Sequence, residues 1–116
     1  MTHLLNLDYN TPKDSGQQVL FSISRQHTNE FSAELWLKKT GKKFQFSKNT
    51  ANIGIGSCSS LANSNAELTV NYFGNGQPAS LLLGLKGGSV ELKQRIITKA
   101  ASGKQRVHYS IFFKPE

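Results

Sequence analysis

The chain has 116 residues, with 14 Lys and Arg against 7 Asp and Glu and a formal net charge of +7. At 37% hydrophobic and 18% charged residues, it can bury a core as one domain, residues 1–116, without staples. A single cysteine excludes an intrachain disulfide framework and a multi-cysteine zinc site, and no apolar run reaches the roughly 18 residues of a membrane-spanning helix.

Uncharged polar residues fill the place of the missing charges: 13 Ser, 9 Asn, 7 Gln and 7 Thr. This makeup suits secreted or surface β-proteins, so an extracytoplasmic setting (periplasm, cell surface or secreted) is expected over a cytoplasmic one. "MTHLLNLDYN" has neither a basic n-region nor a long apolar h-region, so no signal peptide is expected in this chain. The positive balance admits a polysaccharide or another polyanion as partner.

Alternation with a period of two dominates the chain and predicts strands with one buried face. "HLLNLDY" puts Leu5, Leu7 and Tyr9 in step as a first strand. "VLFSIS" aligns Val19, Phe21 and Ile23. "FSAELWLKK" sets Ala33, Leu35 and Leu37 against Ser32, Glu34, Trp36 and Lys38. "NIGIGS" is a weaker strand, and "SSLANSNAE" can form one short helical turn. "AELTVNYF" sets Leu68, Val70 and Tyr72 against Glu67, Thr69 and Asn71. "SLLLGLK" is again weaker, and "SVELKQRI" aligns Val90, Leu92 and Ile96. "RVHYSIFFK" aligns Val107, Tyr109, Ile111 and Phe113, with His108 and Ser110 opposite. Between these runs stand "TPKDSG", "RQHTNE", "KTGK", "FGNGQPAS", "LKGGS" and "AASGKQ", which carry turn residues. Seven to eight strands at this spacing predict a single all-β antiparallel sandwich, Ig-like or jelly-roll-like, with a small β-barrel as the runner-up.

The stretch "WLKKTGKKFQF" reads as a hairpin. A two-residue Thr40-Gly41 loop would set Lys39 opposite Lys42, Leu37 opposite Phe44 and Leu35 opposite Phe46, with all the apolar side chains on one face. The other face then carries Glu34, Trp36, Lys38, Lys43 and Gln45. An indole beside ammonium groups can stack on a sugar or a base, so Trp36, Lys38, Lys43 and Gln45 are the first candidate ligand-binding residues. Tyr72 and Phe112 are further candidate platforms. A second hairpin, 89–99 with 105–114 around "AASG", would place Lys93, Arg95 and Lys99 on one solvent face, so Lys93 and Arg95 complete the set.

The motifs that could carry catalysis fail on spacing. "GIGSCSS" lacks the third glycine of a dinucleotide fingerprint and the Gly-x-Ser-x-Gly of a nucleophile elbow. "GLKGGS" lacks the Gly-Lys-Ser/Thr order of a phosphate loop. Cys58 could pair with His27 or His108 only if the fold brought them together. His3, His27 and His108 share no metal-ligand spacing, and the seven acids are scattered. No enzyme, cofactor or metal is therefore expected. The expected function is a non-catalytic protein-interaction or assembly module of the pilus-subunit, adhesin or secretion-accessory type on a bacterial surface or in its periplasm. "HLLNLDY" and "RVHYSIFFKPE" are its candidates for strand addition. A carbohydrate-binding β-sandwich or a small basic β-barrel for nucleic acid is the alternative.

Overall fold

The computed structural model describes residues 2–26, 30–88 and 91–116, with side chains from Asn6 onward. In chain order the elements are β1 (Thr2–Thr11), β2 (Gln18–Arg25), β3 (Ser32–Leu37), β4 (Lys43–Phe46), β5 (Thr50–Ser57), α1 (Cys58–Leu61), β6 (Ser64–Asn75), β7 (Ser80–Lys86), β8 (Leu92–Ile97) and β9 (Ser102–Pro115). They form an all-β sandwich. One sheet runs β1-β9-β6-β3-β4 and the other β5-β2-β7-β8. These are two separate sheets with edges of their own, so the barrel alternative is not the fold.

Alternation produces this arrangement because successive side chains on a pleated strand point to opposite faces. Val19, Phe21 and Ile23 of β2 share their inward face with Leu81, Leu83 and Leu85 of the adjacent β7, and together they pack against the inward row of the other sheet. That row holds Ala33, Leu35, Leu37, Leu68, Val70, Tyr72, Val107, Tyr109, Ile111 and Phe113, all buried. The Phe21 and Phe46 rings meet across the two sheets with centroids 5.5 Å apart. α1 is a single turn, capped by the Ser57 hydroxyl accepting from the Ser60 amide. It closes one end of the sandwich with Cys58 and Leu61 buried.

Every connection except the β3–β4 and β7–β8 hairpins carries the chain from one sheet to the other. Two of these crossings brace each other. The Gly76 amide donates to Ala101 O at 2.9 Å, and the Thr98 amide donates to Ala79 O at 2.9 Å. The Thr98 hydroxyl accepts from Tyr72 Oη at 2.9 Å and from the Ala79 amide at 3.1 Å. Gly74 is required here, because a Cβ at this position would overlap the Ala101 carbonyl oxygen.

Several expectations are corrected. The β3–β4 hairpin pairs Leu35 with Phe44, Ala33 with Phe46 and Trp36 with Lys43, two residues away from the expected register. Its loop is four residues, Lys38 to Gly41, closed by Leu37 N to Lys42 O and Gly41 N to Leu37 O, both 2.8 Å. Gly41 adopts φ +76, which closes the longer loop without strain. So Lys39 does not face Lys42. A two-residue shift leaves every side chain on its expected face, which is why the apolar pattern alone could not distinguish the registers.

The hairpin expected from 89–99 and 105–114 does not form. β8 pairs with β7, while β9 pairs with β6 and β1 in the other sheet. Val90 and His27 lie outside the described residues. "RVHYSIFFKPE" is no edge, because β9 is flanked on both sides, and its pairing with β1 is parallel. Tyr72 is buried and serves the core rather than a ligand platform.

Candidate functional site

The solvent face of the five-stranded sheet takes alternate residues from β3, β4, β6 and β9. Its centre is the row Lys43, Trp36, Glu67, Ser110 across four adjacent strands. The next row is Gln45, Glu34, Thr69, His108. Trp36 is 39% exposed, because its strand turns Leu35 and Leu37 into the core and leaves it outward.

Two ammonium groups lie over the indole, Lys38 Nζ 5.3 Å and Lys43 Nζ 5.4 Å from the ring centroid. Each is also tied to a carboxylate. Lys38 reaches Glu67 Oε1 at 2.9 Å, and Lys43 lies 4.0 Å from Glu34 Oε1. Glu67 extends the network, its Oε2 lying 3.2 Å from His108 Nε2. His108 Nδ1 is 3.0 Å from the Thr69 hydroxyl. With the ring neutral, Nε2–H donates to Glu67 and Nδ1 accepts from Thr69. The hydrogen bond from Lys38 holds the Glu67 carboxyl below its ordinary value, against an opposing effect of partial burial, with His108 adding to the lowering.

Hydroxyl, imidazole and carboxylate also occur in this order in acyl-transfer sites. Here the carboxylate is shared with Lys38, and the threonine sits mid-strand on an open sheet face rather than in a water-excluding cleft. A shallow hollow of about 340 Å³ adjoins Thr69, lined by Ser32, Glu34, Gln45, Asn71 and Arg106. Arg106 Nε donates to Asn71 Oδ1 at 3.0 Å, which fixes both polar ends. Phe73, 66% exposed, continues the same face toward the far end of β6, while Phe112 is half-buried.

Of the residues singled out from sequence, Trp36, Lys38, Lys43 and Gln45 share this face. Lys93 and Arg95 do not join them. They lie on the solvent side of the four-stranded sheet, facing the opposite way. Arg95 Nη1 donates to Gln26 Oε1 at 3.2 Å and Ser80 Oγ at 2.9 Å, and Lys93 lies 3.7 Å from Glu91. The two basic groups therefore do not form one patch. Cys58 is in the core, its thiol 3.3 Å from Gly87 O, while His108 is on the outer face, so they form no dyad. No group of three or more metal-ligating side chains occurs among the described residues.

Sequence reasoning missed Glu67, Thr69, His108, Asn71 and Arg106 as members of the site. Alternation already placed Glu67, Thr69, Asn71 and His108 outward. What it could not supply was the β6–β9 pairing that joins segments about forty residues apart in sequence. The chain matches no protein-family model, and no curated protein or solved structure matches it significantly, so the site rests on its own geometry.

Proposed function

We propose that the protein is a non-catalytic binding module that takes a protein partner on the solvent face of its five-stranded sheet, with Trp36 as the anchor. The observation carrying this reading is the partly exposed indole, with Lys38 and Lys43 over its ring, on a sheet face whose polar side chains are already paired. Tryptophan is among the residue types that dominate interface energetics, and pre-ordered polar neighbours lower the entropy lost on docking. The cross-linked face would serve an assembly or adhesin-type domain, which agrees with the Ser/Thr/Asn-rich composition.

A second reading has its own observation. The hollow beside Thr69 presents amide, guanidinium, carboxylate and hydroxyl groups in one shallow seat, which is the chemistry that hydrogen-bonds a sugar. Against it, the ammonium groups over the indole compete with a sugar ring for the stacking face.

The test is direct. The immobilised protein and its Trp36→Ala variant are exposed to an extract of the source cells, and bound proteins are identified. A partner retained by the native protein and lost by the variant is expected. Capture of the same proteins by both removes Trp36 as anchor. Titrating Trp36 fluorescence with oligosaccharides decides the second reading, which requires a saturable change with at least one sugar.

A further inference from the structure

Imidazole is the side chain whose charge ordinarily changes between about pH 5 and about pH 8. His108 is held at both of its ring nitrogens. Nε2 lies 3.2 Å from Glu67 Oε2, and Nδ1 lies 3.0 Å from the Thr69 hydroxyl. The side chain is 26% exposed, so a proton reaches it from solvent without opening the fold.

The two charge states of the ring require different hydrogen bonds. A neutral ring accepts at Nδ1, and the Thr69 hydroxyl donates to it. A protonated ring donates from both nitrogens. The Thr69 oxygen must then accept, and its own proton turns away from the ring. Thr69 lines the hollow it shares with Asn71 and Arg106, so that hollow gains a donor. Glu67 keeps its charge through the change, because the hydrogen bond from Lys38 holds its carboxyl below its ordinary value. It then faces two cations, Lys38 at 2.9 Å and the imidazolium.

Lysine, arginine and glutamate do not ordinarily titrate in this range, and these are the other charged types around the ring. On β3 and β4 they are Glu34 and Lys43, and on β9 Arg106, which bonds Asn71. On β1 the residue opposite His108 is Leu4, with Thr2 and Asn6 two positions to either side, and none of the three is ionisable. Farther along the sheet are Asp8, opposite Phe112, and Lys104, opposite Phe73. Around the network Lys38, Lys43 and Arg106 therefore stand against Glu34 and Glu67, one positive charge in excess, and a proton on His108 makes the excess two.

We infer that His108 is a proton-operated switch of the Trp36 face, which holds an anionic partner group more tightly when the ring is charged. The added charge and the donor released at Thr69 act in the same direction. The inference rests on the Trp36 face being the binding surface, while the switch itself is measured in the free protein.

Trp36 is the chain's one tryptophan, so its quenching reports this face. Iodide is the anionic probe and acrylamide the neutral one, both at constant ionic strength of about 0.1 M. β6 alone separates β3 from β9, which puts His108 about 10 Å from Trp36. One added charge at that distance raises the local iodide concentration about 1.3-fold. Between pH 8 and pH 5 the iodide-to-acrylamide quenching ratio should therefore rise about 1.3-fold more in the native protein than in His108→Gln. His3 and His27 remain in both proteins, so the difference belongs to His108. Equal pH dependence in the two overturns the inference. Should His108→Gln fail to fold, proton NMR of the native protein decides. The His108 ring and the Trp36 indole N–H should titrate with one shared midpoint, and an indole signal that ignores the ring's titration overturns the switch. The two failures are distinct: equal quenching ratios remove the switch and leave capture by Trp36 standing, while unchanged capture by Trp36→Ala removes the anchor whatever the quenching shows.

Discussion

Replacing Tyr109 with Phe should stabilise the protein. Tyr109 is fully buried at the centre of β9, and among the described residues its hydroxyl has no hydrogen-bond partner. Burying a hydroxyl without a partner costs about 1–3 kcal/mol. Deleting one oxygen leaves a void whose cost, at about 24 cal/mol per Å³, amounts to a few tenths of a kcal/mol. The net gain is about 1 kcal/mol, a rise in melting temperature of roughly 4 °C for a domain of this size. Tyr72 is the internal contrast. Its hydroxyl donates to Thr98 Oγ1 at 2.9 Å, so Tyr72→Phe should cost about 1 kcal/mol.

The same burial pushes the Tyr109 phenol well above its ordinary 10.0, with Tyr72 adding to the effect. The unfolded chain then ionises first. Above about pH 10 it binds fewer protons than the folded state, so stability falls with rising pH by up to about 1.4 kcal/mol per unit for this group. Urea unfolding of the native protein and Tyr109→Phe at pH 7 and pH 11 reads both effects. The variant should be more stable at pH 7, and its advantage should widen at pH 11. A loss of more than about 1 kcal/mol at pH 7 would show that the hydroxyl is hydrogen-bonded and refute the reasoning.

Two further substitutions probe the scaffold and the site. Gly74→Ala drives a Cβ into the Ala101 carbonyl at a braced crossing, so it should cost about 1–3 kcal/mol in urea unfolding despite its distance from the largest core side chains. Glu67 has a lowered carboxyl value, held down first by its hydrogen bond from Lys38. Its contribution is therefore present above the unfolded value near 4.5 and is lost as pH falls through the folded one. Its side chain is 29% exposed, so solvent screening keeps the effect below about 1 kcal/mol. The stability difference between the native protein and Glu67→Gln should be present at pH 7 and shrink progressively as the pH is taken below 4.5. Trp36, at 39% exposure, should show red-shifted emission and ready quenching by acrylamide, and Trp36→Ala should cost about 1–3 kcal/mol, because the covered part of the indole loses its burial along with the two cation–π contacts.

Alternation by itself determined which residues are strands and which face each side chain takes. Val19, Phe21 and Ile23 are buried, as are Leu68, Val70 and Tyr72 and the row from Val107 to Phe113, while Trp36, Glu67 and His108 stand outward. That is legible because the pleat alternates faces whatever the strand pairs with. The single turn expected within "SSLANSNAE" overlaps α1 at residues 59–61, while the end of that stretch is already strand β6. Partner and register were decided only by the tertiary structure. The hairpin at Gly41 could slip by two residues without moving a side chain to the wrong face, so only the closure of its four-residue loop chose between registers. β8 and β9 are sequence neighbours assigned to different sheets, and β1 joins β9 from the opposite end of the chain. Such long-range pairings follow from how the whole apolar surface is buried at once, and no local pattern encodes them. The Lys38–Glu67–His108–Thr69 network exists for that reason alone: β6, β9 and the loop after β3 bring together polar residues that are far apart in sequence.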